Sequence, residues 1–261
     1  MRLAVFSDMH GNLTAFEAAL ADLDALGGAD RIWVLGDLAA FGPQPAECIR
    51  RVRALKEAAE ADEAKKGTVC LVRGNTDRYL RTGAFVGGKA AEDAAELAAL
   101  IANMRATYDR LMWSLEQLAF EDYEFLMSLG EECDLYVDGF GGVIGYHGTP
   151  GNDEGQLNPA TSDEEAADAL LDREGRLGIG GHIHVQMDRV LERTGWRVVN
   201  VGSVGLSFDN PGKAQWGLFT FANGTVTVDL RATPYNVEAA LEAARAAGHP
   251  SIDWLANLLR R

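Results

Sequence analysis

Five short turns constrain this chain more than any other feature. Each directly follows an apolar run, and each is built from Gly, Asp, Asn or His. They are Ser7-Asp8-Met9-His10-Gly11-Asn12, Gly36-Asp37, Gly74-Asn75-Thr76-Asp77, Tyr146-His147-Gly148 and Gly181-His182-Ile183-His184. Four of the five histidines of the chain lie in these turns. An apolar run that stops on such a turn reads as a strand ending in a loop. Loops at strand ends of a rigid sheet are the usual place for a site.

The runs that read as strands fall at 2–7, 31–36, 69–73, 134–138, 142–147, 177–181, 189–192, 196–201, 217–222 and 225–230. Most are bounded by Gly, Asn or Asp. Asn223-Gly224 predicts a type I′ hairpin between the last two. Helical spacing fills the gaps. Leu13, Phe16, Leu20 and Leu23 share one helix face, with Thr14 and Glu17 placed for a capping box. Further helices are expected over about 45–64, within 90–128, over 163–173 and over 237–247, where Gly248-His249-Pro250 stops the pattern before a short tail helix. Strands alternate with helices early and pair as hairpins late. That predicts a mixed, layered α/β (α+β) architecture over a purely parallel sheet. The expected organisation is one domain over 1–261, with a helical cap-like segment near 80–130 and a C-terminal helical tail near 235–261.

Composition sets the surroundings. The chain has 261 residues, 47% hydrophobic and 24% charged, and is long enough to bury a core without disulfide staples. No apolar run approaches the roughly 18 residues that span a bilayer. Asp8 and His10 interrupt the first apolar run, so it does not read as a signal peptide. With 24 basic and 39 acidic side chains the net charge is −15. So acidic a surface repels nucleic-acid backbones, which disfavours a nuclease. A small phosphorylated substrate stays compatible, because bound cations reverse the field inside a cleft. Cys48, Cys70 and Cys133 form no CxxC pair and read as reduced, which suits a cytoplasmic location.

The turns carry a ligand chemistry. In extended chain, residues i and i+2 point to one side. Asp8 and His10 therefore face one point, as do His182 and His184. Carboxylate and amide oxygens with imidazole nitrogens suit manganese, iron, zinc or nickel better than calcium, and the lack of nearby cysteine argues against structural zinc. Singly, each motif has an ordinary reading: Asp8 as a helix cap, Gly36-Asp37 and Gly74-Asn75 as turns, His147 as a core histidine. Gly-His-x-His is more specific, and the ordered set is more specific still. Arg73 and Arg78 flank the third turn, where guanidinium forks suit phosphate oxygens; ion pairing with the acidic excess is the alternative. Asn12 either reaches substrate or caps the first helix. His249 is expected at the surface. Phe85, Trp113, Tyr123 and Phe125 are expected to pack the helical segment onto the domain.

The ordered set Asp8-x-His10, Gly36-Asp37, Gly74-Asn75, His147 and Gly181-His182-x-His184 resembles the calcineurin-like metallophosphoesterase superfamily, and Asn200-Val201-Gly202-Ser203-Val204-Gly205 resembles a further element of it. Ser7 to Asn12 and Gly36 to Pro43 look closest to its small bacterial phosphodiesterase-like branch. The resemblance implies two mixed β-sheets packed as a sandwich flanked by helices. It implies two divalent ions, manganese first. Asp8, His10 and His184 would hold one, Asn75, His147 and His182 the other, with Asp37 between them. The implied activity is hydrolysis of a phosphate mono- or diester by a metal-bridging hydroxide, with Asp37 and Asn75 as the catalytic residues and Asn12 and Arg78 as candidate substrate contacts. Many members carry histidine after Gly-Asn; here Thr76 stands there, which leaves Asp77 or water to protonate the leaving oxygen. The competing reading is a protein-interaction scaffold on the same fold with weak catalysis.

Overall fold

The computed structural model describes residues 1–84, 90–170 and 173–261; Phe85, one of the aromatics expected to pack the helical segment, lies outside them. Among the described residues, the first sheet has the order β10-β9-β1-β2-β3. Its strands are β1 (Arg2–Phe6), β2 (Arg31–Leu35), β3 (Val69–Val72), β9 (Lys213–Ala222) and β10 (Thr225–Pro234). β1, β2 and β3 run parallel, and β9 joins β1 antiparallel. The second sheet has the order β4-β5-β6-β8-β7. It comprises β4 (Glu132–Val137), β5 (Gly141–Tyr146), β6 (Leu177–Gly180), β7 (Gln186–Val190) and β8 (Arg197–Val201). β5, β6 and β8 run parallel, with antiparallel strands at both edges. The mixed, layered architecture is therefore as expected.

The two sheets face each other across an apolar layer. Leu3, Val5, Trp33, Leu35 and Val72 of the first sheet meet Val143, Leu177, Ile179, Val199 and Val201 of the second. Such alternation follows from strand geometry: every second side chain points inward. The outer face of the first sheet buries Ala4, Phe6, Val34 and Trp216 against α1 (Leu13–Ala25) and α2 (Pro45–Glu60). Phe6 meets Phe16 edge-on at 5.6 Å and stacks on Trp216 at 5.4 Å. α6 (Asp163–Asp168) covers the outer face of the second sheet through Ala166, against Ile144, Tyr146 and Val198. α7 (Val237–Ala246) and α8 (Ile252–Leu259) form a small core of their own around Leu241, Ala244 and Leu255.

Four local expectations are corrected. The first helix is capped by Asn12, whose Oδ1 accepts from Ala15 N at 3.1 Å, in place of a Thr14–Glu17 box. Gly74-Asn75 does not end in a loop. Gly74 is the N-cap of α3 (Asn75–Thr82), with Asp77 folding back at the third helical position. Cys70 and Cys133 are joined by a disulfide, while Cys48 is free and buried. The pair sits on β3 and β4, edge strands of opposite sheets that lie side by side, a proximity that a spacing of 63 residues does not disclose. The cysteines thus no longer argue for a reducing compartment. His249 is buried, not superficial: it is 4% exposed, its Nε2 donates to Phe41 O at 3.0 Å, and its ring meets Trp113. Among its described residues the helical segment holds α4 (Ala94–Glu116) and α5 (Phe120–Met127), packed on α3 and α2. No described helix is long and apolar enough to cross a membrane.

Candidate metal centre

All five turns come to one end of the sandwich, beyond the carboxyl ends of β1, β2, β3, β5 and β6. That end is where open sheets with parallel strands collect their ligands. Backbone hydrogen bonds lock the turns to one another. Asp8 N donates to Gly36 O, His10 N to Asp37 O, Gly11 N to Leu38 O and Gly181 N to His147 O. Close approach requires glycine at two points. A Cβ on Gly74 would overlap the backbone and carboxylate of Asp37, and one on Gly181 would overlap Ser7 and Asp8.

Asp8, His10, Asp37 and His184 are buried, with one ligand atom from each within 4.8 Å of the others. Asp8 Oδ1 is 3.3 Å from His184 Nε2 and 3.8 Å from His10 Nε2. The Asp37 carboxylate lies between two groups, Oδ2 being 3.5 Å from His10 Nε2 and Oδ1 3.5 Å from His147 Nε2. On the His147 side, Asn75 Oδ1 is 2.9 Å from His147 Nε2 and 3.0 Å from His182 Nδ1. The seven side chains expected as ligands therefore meet in one place.

The hydrogen-bond pattern tests whether cations fit there. Nδ1 of His10 faces Ala40 O, Nδ1 of His184 faces Leu206 O and Nδ1 of His147 faces Leu35 O. A carbonyl only accepts, so each Nδ1 carries a proton, and each ring in its neutral form turns an Nε2 lone pair inward. His10 Nε2 and His184 Nε2 then confront each other at 3.0 Å, and His147 Nε2 confronts the Asn75 oxygen. Only a proton or a cation makes those approaches attractive. Asp8 Oδ1 is buried without any hydrogen bond, its Oδ2 being occupied by His182 N at 2.9 Å. An orphaned buried carboxylate oxygen among convergent lone pairs fits a divalent ion.

Electrostatics agree. Burial works to raise the Asp8 pKa, but His147 and His184 outweigh it and hold the group at about 2. Burial likewise opposes ionisation of Asp37, and His147, His10 and His182 hold it well below the usual carboxylate range. Burial lowers His10 to about 4 against the pull of Asp37. His147 goes the other way: despite burial, Asp37 and Asp8 raise it to about 10. His182 is lowered by burial, then by His147. Two anions thus persist in a dry site, where they favour a cation strongly.

Backbone strain concentrates at the same residues. Asp8, His10, Asp37, His182 and His184 all have left-handed backbones, with φ of 57°, 47°, 55°, 70° and 58°. Non-glycine residues seldom adopt that region unless their surroundings over-determine it, and such residues cluster at functional sites.

Sequence reasoning missed what holds the ligands. Asp77, offered as a leaving-group acid, accepts through Oδ2 from Asp37 N and Gly74 N and through Oδ1 from Leu38 N, at 2.8, 3.0 and 2.9 Å. It clips the Asp37 turn to the start of α3. Burial pushes its pKa up to about 7, with Asp37 adding to the effect against those N–H donors. Ser203 Oγ donates to Asp8 O and accepts from Leu206 N, while Asn200 Nδ2 donates to Gly181 O. The 200–205 segment therefore positions both ligand turns. The two candidate substrate contacts are otherwise engaged. Asn12 caps α1 and donates to Gly205 O and Tyr235 Oη. Arg78 forks onto Asp153 at 2.8 and 2.9 Å and reaches Glu154 at 2.6 Å. Arg73 pairs with Glu131 at 3.3 Å.

Comparison with known proteins points the same way. The model of the calcineurin-like phosphoesterase superfamily domain matches residues 1–224. The chain resembles a metallophosphoesterase from Sphaerobacter thermophilus, with a TM-score of 0.71 and 24% identity over 99% of this chain and 98% of that one. It also resembles a hypothetical protein from Pyrococcus horikoshii OT3, with a TM-score of 0.75 and 21% identity over 99% and 97%. At those identities the likeness is one of fold. An uncharacterized protein of Methanocaldococcus jannaschii is 42% identical over 53 residues, 20% of this chain and only 21% of that protein's length.

Proposed function

This chain belongs to the calcineurin-like phosphoesterase superfamily, and on that premise we propose that it is a hydrolase of phosphate mono- or diesters that works with two divalent cations. The observation that carries the reading is Asp8 Oδ1, buried and unbonded among lone pairs that no donor satisfies. Asp8, His10 and His184 would hold one ion, Asn75, His147 and His182 the other, and Asp37 would contact both. The donors suit manganese first, then iron, zinc or nickel. When bound, such a pair supplies charge neutralisation on phosphoryl oxygens and acidifies water between the ions.

The chain's own contribution is placement and exclusion of water. Asp8 and Asp37 stay ionised at neutral pH. Carbonyls 40, 206 and 35 fix Nδ1 as the protonated nitrogen of three imidazoles, so His10, His184 and His147 turn Nε2 to an ion, His147 after giving up its second proton. Apolar side chains line the cleft beside His10 and His184, which lowers the local dielectric and strengthens the electrostatic contacts there. The natural partner is a small phosphorylated molecule.

The test crosses bis(p-nitrophenyl) phosphate and p-nitrophenyl phosphate with added manganese, iron, zinc and nickel, using Asp37→Asn as control. Turnover by loaded protein and its loss in Asp37→Asn are expected. A protein with both sites shown occupied but without turnover moves the assignment to the interaction scaffold. One observation favours that second reading: Leu97, Ile101 and Met104 stand exposed along one face of α4.

A further inference from the structure

The cleft above the ligand cluster is walled by aromatic rings. It measures about 330 Å³ and is lined on one side by His10, Asp37, Asn75 and the Gly-His-x-His pair, on the other by Phe41, Leu206, Phe208, Trp254 and Leu258. Among the described residues lining it there is neither lysine nor arginine. Phe208 is 56% exposed, yet its ring lies 4.6 Å from that of His184 at an interplanar angle of 30°. Phe41 lies 5.7 Å from His10 and 6.2 Å from Trp254. An exposed phenyl ring in water is unfavourable on its own. Beside a phosphoryl-sized space it offers a flat surface for part of a ligand.

The wall is held in place deliberately. Phe41 has a left-handed backbone, φ 82°, fixed from both sides: its N–H donates to Ser114 Oγ of α4, and its carbonyl accepts from His249 Nε2. Arg110 of α4 stacks over Trp254 at 4.2 Å and over Phe41 at 6.0 Å. Strain at a residue with no ligand role calls for a reason, and shaping this cleft supplies one. Trp254 and Leu258 belong to α8, beyond the residues that match the family model. Phe41, Leu206 and Phe208 of the wall lie within the matched residues, and the tail supplies Trp254 and Leu258.

We propose that this wall is a subsite for a planar, uncharged aromatic arm of a phosphodiester, seated against Phe208 and Trp254 while the phosphoryl group sits at the ligand cluster. The inference rests on the phosphoesterase reading. The described lining offers no lysine or arginine to pair a second anionic group on that arm, and the rings favour flat apolar groups over small alkyl ones. In the reaction, water oxygen bonds to phosphorus, the bond from phosphorus to the leaving oxygen breaks, one proton of the water passes to solvent, and the retained arm leaves as its monoester.

Two measurements test it on manganese-loaded full-length protein. In the first, the leaving group is held as p-nitrophenolate and the retained arm is phenyl or methyl. The phenyl ester is expected to show kcat/KM about tenfold higher, chiefly through KM. In the second, phenylphosphonate and methylphosphonate are titrated by calorimetry, with about the same tenfold preference for phenyl. Phe208→Ala and Trp254→Ala should each reduce both ratios to below about threefold, and Phe208→Tyr should preserve them. Phe208 is largely exposed, so its substitution leaves the fold intact even where Trp254→Ala does not. Turnover with phenyl-to-methyl ratios near one, or ratios that neither alanine variant moves, overturns the subsite and leaves the phosphoesterase reading standing. No turnover of either ester, with the phosphonate preference present and lost in Phe208→Ala, supports the subsite and overturns the phosphoesterase reading.

Discussion

Asp77 and Thr76 decide how a leaving oxygen can be protonated. Both carboxylate oxygens of Asp77 accept from backbone N–H groups, so it has no oxygen facing substrate. Thr76 Oγ1 is buried beside the cleft without a partner; it can hydrogen-bond but does not ionise near neutral pH. Hydrolysis should therefore depend steeply on the leaving group. Aryl esters should outpace matched alkyl esters, and equal rates would contradict this. Asp77→Ala should strand three buried N–H donors, cost roughly 1–3 kcal/mol of stability and weaken manganese binding, because Asp37 is no longer clipped to α3. Chemical denaturation and calorimetry read the two effects separately. Protons compete for the same ligands. His147, raised to about 10, holds its proton at neutral pH until a cation replaces it. Metal binding should release about one proton from it, so affinity should fall about tenfold per pH unit toward acid. Calorimetry in buffers of different ionisation enthalpy counts that proton, and a release of zero would refute the assignment.

At the scale of elements, the strands were legible because each is a short β-branched run closed by a turn residue. Where they are displaced, the cause is physical. β7 lies at Gln186–Val190 and not at 189–192, because as an edge strand it pairs only with β8 and carries polar residues that break the run. α3 was hidden because Gly74-Asn75 reads equally as a turn and as a cap followed by a first helical residue. The ligand residues were legible because their types and order are unusual together. Their supports were not: Asp77, Ser203 and Phe41 act through backbone contacts between segments 39 to 208 residues apart. The disulfide was equally invisible. It encloses 63 residues of sequence separation containing α3, α4 and α5, and ties the edges of the two sheets. Chain-entropy reasoning assigns such a link about 4 kcal/mol. Cys70→Ser, or reduction, should lower the melting temperature by roughly 10 °C, while the ligand turns after β1, β2, β5 and β6 keep their places. A melting curve indifferent to reductant would show that the link adds nothing.

For the whole molecule, metal and fold are coupled by a common cost. Five ligand residues sit in left-handed backbone, each opposed by about 1–3 kcal/mol. Two carboxylates are buried together in a chain whose net charge is already −15. The interlocking hydrogen bonds among the five turns offset part of this, and a cation at Asp8 and Asp37 offsets more by replacing repulsion with attraction. The unfolded chain scatters these ligands over residues 8 to 184 and binds a cation far more weakly, so binding must stabilise the native state. With free manganese at about a hundred times its dissociation constant the gain is about 2.7 kcal/mol, a rise of roughly 5–10 °C in melting temperature for a chain of this size. Chelation should reverse the rise. Asp8→Asn should abolish most of it, because the neutral amide leaves His10 and His184 facing each other with one anion fewer to hold the ion between them. An unaltered protein shown by calorimetry to bind manganese, yet melting at one temperature with the metal and without it, would mean that the strained turns are set by the sheets alone and owe nothing to the ion.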